Sequence, residues 1–122
     1  AHYDDVTKAV LDYFIVKVQE CRLAGINDII IDPGFGFSKN SPQNFELLKN
    51  LRALRMAGVP LLVGLSRKST IYKTLNVPAA DALNGTTVMN TIALMNGADI
   101  LRVHDVKEAK EAIKLASLVF NW

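Results

Sequence analysis

The chain has 122 residues, of which 50% are apolar and 21% charged, and its formal net charge is +2. That length fits a single domain, residues 1–122, and lies far below the ~250 residues of a complete eight-stranded α/β barrel. The charge balance excludes nucleic acid and an anionic membrane surface as partners, no apolar run approaches the ~20 residues of a membrane span, and lone Cys21 excludes an intrachain disulfide or a cysteine-based metal site. A reducing, cytoplasmic setting is expected. Nothing at the N-terminus reads as a signal peptide, and a start at Ala1 without an initiator Met fits a piece of a longer chain.

Taken in order, Val6, Val10, Tyr13, Phe14, Val18 and Cys21 recur at helical spacing and predict an amphipathic helix that Gly25 closes, with Cys21 filling core space. Asp28 to Ile31 forms an apolar run that breaks at Asp32-Pro33 into Gly34-Phe35-Gly36-Phe37-Ser38-Lys39. Ser41 suits a helix N-cap and Pro42 the first helical position, and Phe45, Leu48, Leu51 and Leu54 stripe a helix ending before Gly58. Pro60 to Ser66 reads as a second apolar strand finishing in Ser66-Arg67-Lys68-Ser69, and a short helix follows over 68–75. Any strand between Asn76 and Thr87 is very short, around Ala82 to Asn84. A helix from Thr86 to Met95 stops at Asn96-Gly97, a strand runs over 99–105, and Asp105 with Glu108 matches a capping box. The last helix is striped by Val106, Ala109, Ile113, Ala116 and Phe120.

Gly25, Gly58 and Gly97 therefore each close a helix that precedes an apolar strand with a polar end, at roughly the ~30-residue spacing of βαβ units. Continuous apolar strands imply burial on both faces and a parallel sheet, whose polar strand ends share one rim. Asp32, Ser66, Arg67, Lys68, Arg102 and His104 should converge there. Asp32 before Pro33 fits a turn as well as a site, Ser66 fits a cap as well as a contact, and His104 fits a hydrogen-bonded structural histidine. Lys68 at a helix start opposes the helix dipole and calls for a compensating group, and Arg102 inside a strand must be paired or open onto a polar cavity. One carboxylate, several cations and a hydroxyl suit a ligand with an anionic part and a polar ring. No metal cage, nucleophilic triad, dinucleotide fingerprint or P-loop is present.

DPGFGFSK (Asp32 to Lys39), LLVGLSRKS (Leu61 to Ser69) and LRVHDV (Leu101 to Val106), in that order, resemble the second half of the dihydropteroate synthase family. The resemblance implies an α/β fold of the parallel (β/α)8 TIM-barrel family, with this chain supplying about the last four βα units, entered at the helix before the fifth strand. It implies joining of 4-aminobenzoate to a hydroxymethyl-dihydropterin pyrophosphate in folate synthesis, with Mg²⁺ whose ligand lies in the other half of the barrel. Lys68, Arg102 and His104 would be catalytic. Asp32 and Lys68 would hold the pterin and Arg102 and His104 the pyrophosphate. Ser66 with Arg67 and Phe37 would form the aminobenzoate subsite, and Gly64 would line the substrate. Ser38 stands where the family usually has glycine or another small residue. A half-barrel leaves sheet edges and apolar surface uncovered, so a homodimer or other self-association is expected. A methyltetrahydrofolate-dependent methyltransferase, or a barrel fragment that only folds, would share much of this pattern.

Overall fold

The computed structural model describes residues 5–36 and 39–120. Helix α1 (Asp5–Leu23) buries Thr7, Leu11 and Val18. It stops where Gly25 takes φ +88°, with the Ile26 N–H donating to the Cys21 carbonyl and the Gly25 N–H to that of Arg22, the paired bonds of a Schellman ending. Gly97 (φ +98°) ends α4 (Leu83–Met95) in the same way, as does Asn76 (φ +56°) after α3 (Ser69–Thr74).

Helix α2 (Ser41–Lys49) is capped by Asn40, one residue before the predicted Ser41. The Asn40 side chain accepts from the Gln43 N–H at 2.9 Å while the Gln43 side chain accepts from the Asn40 N–H at 3.0 Å. Ser41 could not make that reciprocal pair, because the residue three positions on is Asn44, whose amide is used elsewhere. The predicted single helix up to Gly58 is also interrupted. After Lys49 the chain tightens into a 3-10 turn over Leu51–Ala57 that buries Leu51, Ala53, Leu54 and Ala57.

Three strand positions run parallel. Ile31 bridges Leu61, and β1 (Leu62–Val63) pairs with β2 (Ile100–Leu101) in the register Leu62↔Ile100 and Val63↔Leu101. These segments are shorter than the apolar runs predict, because a ladder extends only where a neighbour exists and both outer strands here have one. No strand forms around Ala82 to Asn84. A 3-10 turn (Ala79–Asp81) leads directly into α4, and direct pairing of β1 with β2 leaves no slot between them. The described residues thus supply two strands and one bridging position, in agreement with the threefold glycine pattern.

Period-2 alternation separates the two faces. Ile31, Leu61, Val63 and Leu65 enter one core with Leu11 and Val18 of α1 and Leu47, Leu48, Leu51 and Leu54. Leu101 packs with Leu94 of α4 and with Ala112 and Ala116 of α5 (Val106–Phe120). The buried stripe of α5 is Ala109, Ala112 and Ala116, whereas Val106, Ile113 and Phe120 of the predicted stripe are exposed. Burial on both sheet faces is not observed: on the side away from the helices Ile30 is 54% and Ile100 37% exposed. That open face leads upward to the polar strand ends.

Candidate active site at the polar strand ends

Asp32 follows the Ile31 bridge, where it makes the predicted turn and also approaches a second strand end. Its Oδ1 accepts the Gly34 N–H at 2.9 Å, closing an Asx turn, while Oδ2 lies 3.6 Å from Nη1 of Arg102. Phe35 is fully packed into the core, and Phe37 lies outside the described residues. Lys68 occupies the N-cap position of α3, with no side-chain cap to that helix. Its ammonium turns back across the rim and donates to the Phe35 carbonyl at 2.6 Å, and its stem lies so close to Gly36 that a Cβ there would sit 3.3 Å from Cδ. Burial, then the neighbouring Arg102, holds the Lys68 ammonium below the ordinary lysine range; Lys39 adds to this and Asp32 opposes it.

Arg102 lies flat over Gly64, where an added Cβ would meet Nη2 at 2.6 Å. Gly64 is thus the floor on which the guanidinium rests. Ser66 sits beneath His104, with Oγ accepting the His104 N–H at 3.1 Å and lying 2.8 Å from Nδ1. Gly64, Ser66, Lys68, Arg102, Val103 and His104 line a cavity of about 150 Å³. Lys68 and Arg102 line it with no carboxylate among the lining residues, and Asp32 stands outside it, 3.6 Å from Arg102, an arrangement suited to an anion.

Arg67 is placed differently from its expected role in an aminobenzoate subsite. Its backbone is left-handed (φ +53°), a conformation costing an L side chain roughly 1–2 kcal/mol. Its guanidinium donates to both Asp105 oxygens at 3.0 Å and to the carbonyls of Ala79 and Ala80. Four bonds to two segments make Arg67 a staple at the rim. The same contacts explain Asp105. Its main-chain carbonyl starts α5 by accepting the Ala109 N–H, but its carboxylate is taken by Arg67 in place of the predicted capping box, and Arg67 holds that carboxyl below the usual carboxylate range.

A family model for pterin binding enzymes matches residues 1–104. The chain belongs to that family. It is 47% identical over 121 residues to the dihydropteroate synthase of Escherichia coli K12, covering 98% of this chain and 43% of the relative. It is 40% identical to that of Haemophilus influenzae, covering 98% of this chain and 44% of the relative. A crystal structure of Yersinia pestis dihydropteroate synthase superposes with a TM-score of 0.92 at 41% identity, over 99% of this chain and 51% of that one. Dihydropteroate synthase of Coxiella burnetii, solved with pteroic acid, gives 0.88 at 42% identity, over 93% of this chain and 43% of that one. The chain therefore spans about half the length of the relatives it matches, their C-terminal part, and its fold corresponds to about half of their TIM barrel.

Several residues that shape the site were given no role by the sequence. Asn44 is 2% exposed; it accepts the Gly36 N–H at 2.9 Å and donates to Thr70 Oγ1 at 3.1 Å, joining the Asp32 loop to the helix that Lys68 begins. Lys39 donates to the carbonyls of Pro33 and Gly34, and Thr86 Oγ1 accepts the Arg67 N–H. A polar residue four positions before Leu48, on the buried side of α2, is the one sequence signal that could have marked Asn44. Among the described residues no group of three or more His, Cys, Asp or Glu could hold a metal ion, and the one rim carboxylate is committed to Gly34 and Arg102. The described donors therefore do not fit a Mg²⁺ cage. No described helix is long and apolar enough to cross a membrane.

Proposed function

We propose that this chain supplies the pterin- and pyrophosphate-facing wall of a dihydropteroate synthase, which condenses 4-aminobenzoate with 6-hydroxymethyl-7,8-dihydropterin pyrophosphate. The observation that carries the proposal is the meeting of Lys68, Arg102 and His104, from two strand ends, around one small cationic cavity, with Asp32 of a third strand end standing 3.6 Å from Arg102. The Asp32 carboxylate is a two-oxygen acceptor suited to the adjacent N–H groups of a pterin edge, and it reaches them by exchanging its 3.6 Å approach to Arg102. Lys68 bounds the pterin on the opposite side. Arg102 and His104 face the leaving pyrophosphate, where positive charge and N–H donors stabilise the charge that grows as the C–O bond breaks. The arylamine then attacks the cationic pterin methylene, a route that asks for no protein nucleophile. Mg²⁺ enters this proposal only as a companion of pyrophosphate, held by residues other than the described ones.

Pterin calorimetry tests the wall. The chain alone should give no heat, and heat should appear when the purified N-terminal part of a full-length relative is added. Recombined halves that bind neither pterin nor pyrophosphate would overturn the proposal. The exposed Ile30 and Ile100 support self-association of the isolated chain, which sedimentation would register as species larger than one copy.

A further inference from the structure

The hydroxyl of Ser66 meets His104 twice, and the two contacts together determine where its proton goes. Ser66 is 6% exposed, so its hydrogen bonds are made chiefly with the protein. The main-chain N–H of His104 can only donate, so Oγ accepts that bond at 3.1 Å. Oγ still carries one proton, and the acceptor within reach among the described residues is Nδ1 of the same imidazole, 2.8 Å away. The reverse arrangement, with Nδ1–H donating, would give Oγ two donors and leave its own proton without an acceptor among the described residues. We infer that Ser66 is a positioning residue that holds His104 as the Nε2–H tautomer, so that the imidazole presents an N–H donor, not a lone pair, to an anionic oxygen in the cavity it shares with Arg102 and Lys68.

The consequence for a ligand is a matter of sign. A neutral imidazole has one donor and one acceptor nitrogen, and the hydrogen bond at one ring nitrogen fixes the role of the other. A lone pair aimed at a pyrophosphate oxygen repels it, whereas an N–H attracts it. Two contacts to one residue also restrain the ring, so the donor is aimed before the ligand arrives. Ser66 is then spent. Its proton is unavailable to the carboxylate of 4-aminobenzoate, which can only accept, so the hydroxyl acts on the pyrophosphate side through His104.

The tautomer statement stands on geometry alone, and its meaning for pyrophosphate rests on the proposed function, so the test has two separable parts. The chain is labelled with ¹⁵N-histidine and read by long-range ¹H–¹⁵N correlation at a pH where the imidazole is neutral, with the His104 signals identified by their loss in His104→Gln. The expected result is one Nε2–H tautomer whose Nδ1 resonates upfield of a free imine nitrogen. Ser66→Ala should release it to the mixture and shifts of free imidazole, and Ser66→Thr should keep it. A protonated Nδ1 in the wild type, or identical spectra for wild type and Ser66→Ala, would overturn the inference. Should Ser66→Ala fail to fold, the wild-type and Ser66→Thr spectra still decide. In the recombined enzyme Ser66→Ala should raise the KM for the pterin pyrophosphate about tenfold and leave that for 4-aminobenzoate unchanged. The opposite split, beside an unaltered tautomer result, would count against the pyrophosphate role and not against the Ser66–His104 pair.

Discussion

Replacing Asn44 by alanine should loosen the candidate site from a distance, because this one buried amide ties the Asp32 loop to α3. The substitution removes the acceptor for the Gly36 N–H at 2.9 Å and the donor to Thr70 Oγ1 at 3.1 Å; the contact to the Lys39 carbonyl, at 3.4 Å, is long enough to neglect. A buried group left without its partner costs ~1–3 kcal/mol. Gly36 is half-buried and recovers part of its loss from water, so ~1 kcal/mol is taken for each of the two bonds. The space vacated by the amide adds ~1 kcal/mol. The sum of ~3 kcal/mol is a large part of a domain's 5–15 kcal/mol and should lower Tm by about 10 °C. Urea unfolding reads the loss as a drop in midpoint at constant slope, and hydrogen exchange should show the Gly36 amide opening faster. Thr70→Val removes one of the same bonds, so the double variant should lose ~1 kcal/mol less than the two single losses combined. A loss below ~1 kcal/mol, or full additivity with Thr70→Val, would refute the latch.

The remaining predictions concern the rim. Gly64→Ala places a methyl 2.6 Å from Nη2 of Arg102, and the flexible guanidinium yields before the backbone does; stability should change by less than ~1 kcal/mol while pyrophosphate affinity in the recombined enzyme falls about tenfold by calorimetry. For Asp105 the folded carboxyl lies below its ordinary range, so its contribution is fully present above the unfolded value and is lost as pH falls through the folded one; Asp105→Asn should therefore differ from wild type above about pH 4 and converge with it in more acid urea titrations. For Lys68 the folded value is lowered, so the native chain binds fewer protons than the unfolded chain between that value and the ordinary one, and stability should rise with pH across that window in wild type but not in Lys68→Met.

What could be read from the sequence was what depends on neighbours along the chain. Gly25 and Gly97 end helices through left-handed geometry that a side chain resists, so their meaning is local and visible. The polar strand ends were visible for a related reason, since an apolar run that stops at Asp32, Ser66 or Arg102 announces its own rim. Strand lengths were not, because a ladder depends on whether a second strand lies beside it. The stapling role of Arg67 was hidden on the same ground: its partner Asp105 is 38 positions away, and Ala79 and Ala80 contribute carbonyls that every residue has. Ser66 was legible as a rim residue, but its contact with His104, also 38 positions distant, could not be inferred from either motif.

Polar contacts among the described residues link the strand ends of the rim to one another. Arg67 joins the end of β1 to the start of α5, Ser66 joins that same strand end to His104, Lys68 reaches back to the Phe35 carbonyl, and Arg102 lies between Gly64 and Asp32. Each of the three strand ends is thus tied to another by at least one polar contact, and Asn44 adds a further tie from α2. These contacts restrain Asp32, Lys68, Arg102 and His104 against one another, so a change at one of them should be felt at the others, while the open face of Ile30 and Ile100 is the surface that the rest of a barrel would cover.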